Sequence, residues 1–108
     1  MSGLVLAGGG HSHALVLRRW AMRPDLRPMG LITLVSRTST ALYSGMVPGL
    51  IAGLYQRNQV AVDLRKLADQ AGVALVVAEI TGLDLQQQQL RLNQRPALTY
   101  ERLSLNLG

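Results

Sequence analysis

The chain has no cysteine, no phenylalanine and a single lysine. Without cysteine, these residues cannot form a disulfide framework, a thiolate metal site or a redox dithiol. Without phenylalanine, and with aromatics at only 4% of residues, the core has to be assembled mainly from Leu, Val, Ile and Ala. The same scarcity leaves few rings on which nucleic-acid bases could stack. Long hydrophobic runs are also missing. The most apolar stretch, Met46 to Leu54, is interrupted by Pro48, Gly49 and Gly53 and is shorter than the ~20 residues that cross a bilayer. No basic segment followed by an apolar one opens the chain, so no secretory leader is expected and a cytoplasmic location is.

What remains is ordinary globular composition: 108 residues, 48% hydrophobic and 16% charged. That length suits one domain, able to bury roughly 65% of the surface its unfolded chain exposes. The formal net charge is +5, carried by arginine. Arg18, Arg19, Arg23 and Arg27 fall at the end of the first expected helix and just after it, where cations complement the negative end of a helix dipole. The other basic residues are scattered, so nucleic acid is not the expected partner.

The most informative stretch runs from Leu4 to Ala14. Leu4 to Ala7 is a short continuous apolar run, the pattern of a strand buried on both faces. Gly8, Gly9 and Gly10 interrupt it, and a helical pattern follows from about Ser12 to Met22, ending before Pro24. Strand, glycine turn and helix make the setting of a dinucleotide fingerprint. Gly8 would form the tight turn, and Gly10 would let a pyrophosphate approach the N–H groups at the helix start. The third fingerprint position holds His13, where Gly or Ala is usual.

Leu31 to Val35 reads as a second strand, parallel to the first through a right-handed crossover. After it come Ser36 and Arg37 in place of the acid that usually accepts from the adenosine ribose. A hydroxyl can make one such bond, while an arginine suits a 2′-phosphate, so NADP stays open, as does a plain loop. The segment Ala41 to Leu50 is irregular and apolar. Val62 to Ala71 reads as a helix capped by Asp63 and ended by Gly72, and Val73 to Ala78 as a third parallel strand, with Glu79 beyond it. From Ile80 the hydrophobic period becomes two, predicting an antiparallel meander laid over the sheet, with the glutamines at 86 to 89 in a turn. Glu101 to Gly108 begins a last buried strand. The fold class is therefore α/β, a parallel sheet with an antiparallel β-meander.

Three stretches of this chain resemble the N-terminal part of the pyridine nucleotide-disulfide oxidoreductase superfamily, nearest its type II NADH dehydrogenase-like branch. The likeness is greatest to the flavoprotein domain fused ahead of selenide, water dikinase. Gly8 to Ala14 is similar to that subgroup's FAD fingerprint, His13 included. Tyr43-Ser44-Gly45-Met46-Val47-Pro48-Gly49 is similar to its flavin-proximal loop, and Tyr100 to Gly108 to the segment leading into a glycine turn near the pyrophosphate. The resemblance implies a Rossmann-like three-layer FAD/NAD(P)-binding fold, incomplete here. It also implies FAD as cofactor and NAD(P)H as co-substrate of a longer parent that passes electrons to a quinone or another acceptor. It would place the pyrophosphate on Gly8, Gly9, Gly10, His11 and Ser12, the ribose near Ser36 and Arg37, the adenine near Ala78 and Glu79, and the flavin near Tyr43, Ser44 and Gly45, with His13 also among the cofactor-binding residues. Residues 1–108 would then be the first part of an FAD-binding domain, without the second dinucleotide domain and the closing segment, and inactive alone.

No catalytic constellation and no metal site is expected: His11 and His13, two residues apart, do not share a helix face. His13 or Tyr43 near the flavin could tune it or relay protons, with packing or capping as the default. An integral membrane segment is not expected. Peripheral membrane contact of the parent and a homodimer remain open, as do two other readings: a stand-alone NADP- or nucleotide-binding module, and a ligand-free interaction scaffold.

Overall fold

The computed structural model describes residues 2–44 and 59–107. Residues 45–58, with Gly45 to Gly49 of the flavin-loop motif and the apolar stretch Met46 to Leu54, lie outside the described residues. The chain forms β1 (Ser2–Ala7), α1 (His11–Met22), a 3-10 turn (Pro24–Leu26), β2 (Ile32–Ser36), β3 (Thr40–Ser44), β4 (Gln59–Asp63), α2 (Leu64–Ala71), β5 (Ala74–Val77), β6 (Ile80–Asp84), β7 (Gln89–Leu92) and β8 (Arg95–Leu105). One six-stranded sheet has the order β5-β2-β1-β8-β7-β6, and β3 pairs with β4 in a separate hairpin. The strands β5, β2, β1 and the end of β8 run parallel, and β6, β7 and the start of β8 are antiparallel.

Alternation along β1 explains the layering, since successive side chains of a strand point to opposite faces. Leu6 of β1 and Ile32 and Leu34 of β2 pack with Ala14 and Leu17 of α1 and Leu64, Ala68 and Ala71 of α2. Val5, Ala7 and Val35 pack on the other face with Leu90, Leu92 and Tyr100 of the meander. Every residue of β2 is buried, as a strand covered on both faces requires. Helices, parallel strands and meander thus make three layers, with β1 in the middle one.

Three expectations from the sequence are corrected. The second helix starts at Leu64, not Val62, because Ala61, Val62 and Asp63 pair with Leu42, Ala41 and Thr40 across the hairpin. Asp63 still caps the helix, its carboxylate accepting from the Lys66 N–H at 3.1 Å. Second, the meander and the last strand are not separate: β8 pairs with β7 up to Thr99 and with β1 from Tyr100 onward, so one long strand passes from one layer into the other. Its final part is not buried throughout. Glu101, Arg102 and Leu105 are exposed, because among the described residues only β1 flanks that stretch. Third, Arg27 does not serve the first helix. Its guanidinium donates to the carbonyls of Pro28 at 2.8 Å, Gly30 at 3.1 Å and Gly72 at 2.8 Å. A cation there meets the negative end of α2 and fastens the α1–β2 loop to it.

The core makes a first prediction. Leu17, fully buried between α1 and the sheet, is replaced by alanine at a cost of about 3 kcal/mol, transfer and cavity terms together. The chemical denaturation midpoint should fall accordingly, and an unchanged midpoint would contradict this packing.

Candidate functional site

All the parallel strands end on one side of the sheet, and there the glycine turn, Ser36, Arg37, Ala78 and Glu79 gather. β1 ends in the turn Gly8–Gly10, β2 ends at Ser36 with Arg37 exposed after it, and β5 ends beside Ala78 and Glu79. The Ala78 N–H donates to the Ser36 carbonyl at 2.9 Å, which ties these last two ends together. In open α/β sheets, ligands bind at this carboxyl edge.

The glycine turn is shaped by what presses on it. Gly8 has φ +103°, a backbone conformation that side chains disfavour. Its N–H donates to the Val35 carbonyl at 2.7 Å. A Cβ on Gly10 would run into the side chain of Asn106, just past β8. Asn106 makes three bonds to this turn and its approaches. Its N–H donates to the Ala7 carbonyl at 2.9 Å, its carbonyl accepts from the Gly10 N–H at 2.9 Å, and its side-chain Oδ1 accepts from the Ser12 N–H at 3.0 Å. Helix α1, whose own N-cap Gly10 has no side chain to offer, is therefore capped from the far end of the chain. A Cβ on Gly9 would lie 2.6 Å from the Ser36 Oγ, so the turn and the end of β2 also close on each other.

His13 lies beneath the turn, 3% exposed. Its Nδ1 is 2.8 Å from the Gly8 carbonyl and its Nε2 2.8 Å from the Ser104 Oγ of β8. A carbonyl can only accept, so Nδ1 carries the proton, and the bare Nε2 accepts from the Ser104 hydroxyl. The imidazole thus occupies the third fingerprint position as a brace between the turn and β8, with both nitrogens engaged inside the protein. His11 and Ser12 are exposed at the helix start. Tyr43 and Ser44 lie on β3, opposite Val60 and Gln59, while Gly45 lies outside the described residues. Among the described residues, no group of three His, Cys, Asp or Glu is placed to hold a metal ion. No helix there is long and apolar enough to cross a membrane.

Ser104 and Asn106 were not singled out from the sequence. Their signal was present as two polar residues at alternate positions in Leu103-Ser-Leu-Asn-Leu107, which puts them on one face of a strand.

Parallel strands, a glycine turn opening a helix and a meander on the opposite face define a Rossmann-like three-layer α/β fold. Among solved structures, the chain is similar to the sulfide:quinone oxidoreductase of the hyperthermophilic bacterium Aquifex aeolicus, with a TM-score of 0.66 and 18% sequence identity. That likeness covers 97% of this chain and 24% of the oxidoreductase, so the chain spans about a quarter of that protein's length. No protein-family model matches the sequence, and no curated protein matches it.

His13 makes the site pH-sensitive. Burial holds its pKa below the ordinary 6.5, and the bond to Gly8 offsets this only in part. The unfolded chain therefore binds the proton more readily than the folded one. His13 contributes fully above about pH 6.5, and stability is lost as pH falls below that value, by up to about 1.4 kcal/mol per unit. Thermal melts from pH 7.5 to 5 should show this slope, and His13→Gln should flatten it.

Proposed function

We propose that the chain is the FAD-binding part of an NAD(P)H-dependent flavoprotein oxidoreductase, a longer protein that passes electrons on to a quinone or another acceptor. The observation that carries this reading is the gathering of the glycine turn, Ser36, Arg37, Ala78 and Glu79 at the carboxyl edge of one parallel sheet. The sequence resemblance supplies the cofactor's identity, and the fold likeness to a quinone oxidoreductase agrees with it.

The residues fit a dinucleotide. The Ser12 N–H already engages an oxygen acceptor, the Asn106 Oδ1 at 3.0 Å, which stands in for a phosphate oxygen. Gly8 to Ser12 would border the pyrophosphate, with the Ser12 N–H and the positive end of α1 turned toward it. Ser36 would hold the adenosine ribose with its hydroxyl, and the Ala78–Glu79 backbone would border the adenine. His13 would act indirectly, by fixing the turn. Tyr43, Ser44 and Gly45 would approach the flavin end. Bound FAD supplies the hydride and electron chemistry, and the protein's part is binding, orientation and electrostatics.

The exposed Arg37, in place of the usual acid, favours one alternative: a module for a 2′-phosphorylated nucleotide. Thermal melts of the 108-residue chain with FAD, NADPH and NADH in separate titrations decide between them. A ligand at about 100 times its Kd adds ~2.7 kcal/mol of stability, which is readily seen as a rise in Tm. Stabilisation by FAD, with flavin colour retained on desalting, is the expected result. Stabilisation by NADPH alone, lost in Arg37→Ala, would replace the FAD reading.

A further inference from the structure

We propose that Asn106 sets the affinity of the phosphate site by occupying it: its carboxamide is an internal competitor that a bound dinucleotide must displace. This rests on the dinucleotide reading above and adds to it a residue and a direction of effect.

The argument starts from the second glycine of the fingerprint. A glycine is required there so that a phosphate can come close to the backbone. In this chain the space beside Gly10 is filled by Asn106, whose side chain and backbone carbonyl any Cβ at Gly10 would meet. The helix-start donor at Ser12 is likewise engaged, by Oδ1 of the same residue. That side chain therefore takes part of the room and, with Oδ1, the Ser12 N–H hydrogen bond that a phosphate oxygen would use. Its backbone is held independently, by the Ala7 carbonyl and the Gly10 N–H, so the carboxamide can rotate away while β8 stays in register. Asn106 is half-buried, which leaves the side chain somewhere to go.

This produces a signature that a structural cap does not. A cap that merely orders the turn would make stability and affinity fall together when it is removed. A competitor makes them move in opposite directions. Asn106→Ala loses the cap, so the ligand-free Tm falls by several degrees, while the Ser12 N–H is released and affinity for FAD and for ADP rises about fivefold, the worth of one neutral hydrogen bond. Asn106→Asp keeps an oxygen at Ser12, now charged and better suited to the helix dipole. Its ligand-free Tm is unchanged or higher, and its affinity falls about tenfold or more because a carboxylate faces the phosphates.

The experiment is isothermal titration of FAD and of ADP into the unaltered 108-residue chain, Asn106→Ala and Asn106→Asp, with a melt of each without ligand. Opposed shifts in both variants support the proposal, and so does binding that only Asn106→Ala shows. Weaker binding by Asn106→Ala alongside its lower Tm overturns it and leaves Asn106 as a positioning cap, with the dinucleotide reading intact. Undiminished affinity in Asn106→Asp also overturns it. If neither the unaltered chain nor any variant binds FAD or ADP, the dinucleotide reading itself fails, and this proposal with it.

Discussion

The end of β8 against the glycine turn is the contact on which the rest of the structure depends. Asn106 bonds to Ala7, Gly10 and Ser12, and two residues earlier Ser104 bonds to His13. These polar bonds join residues more than ninety positions apart in sequence. They fasten the glycine turn and the start of α1 to the end of β8, which already pairs with β1. A buried polar group left without a partner costs about 1–3 kcal/mol, so the buried His13 holds Gly8 and Ser104 to one arrangement. The glycines at this turn are required by that closeness before any ligand is considered.

The two apolar clusters place this contact where it can serve as a site. The helices cover one face of the parallel strands and the meander covers the other, so among the described residues β1 is left open to a ligand at its ends. The carboxyl end carries the turn, the start of α1 and the neighbouring ends of β2 and β5. A dipole end, an exposed arginine and a buried serine hydroxyl are collected there by topology, from positions scattered over the chain. Arg27 acts in the same way on the other helix: it fastens the carboxyl end of α2 to the loop before β2, which holds β2 and β5 in place beneath the site.

Much of this was readable in the sequence because it depends on local chemistry. The continuous apolar run before Gly8, the proline after α1, Asp63 as a cap and Gly72 as a stop act through neighbours a few residues away. The elements they predict are found within one or two residues. The change of hydrophobic period at Ile80 marked the meander for the same reason. The helical pattern begins two residues before α2 does because β4 is held by its partner β3, a pairing that local propensity does not encode. Arg27 departs from the helix-end pattern because one of its partners, Gly72, lies far along the chain.

The sequence by itself determined the α/β class, the strand–turn–helix of the fingerprint and the identity of the residues at the strand ends. Periodicity and turn chemistry suffice for these. Only the tertiary structure decided that β8 serves two layers at once, that His13 braces the turn from below, and that Asn106 fills the space beside Gly10. Each of these depends on contacts between opposite ends of the chain, whose geometry exists only once the sheet has closed around β1.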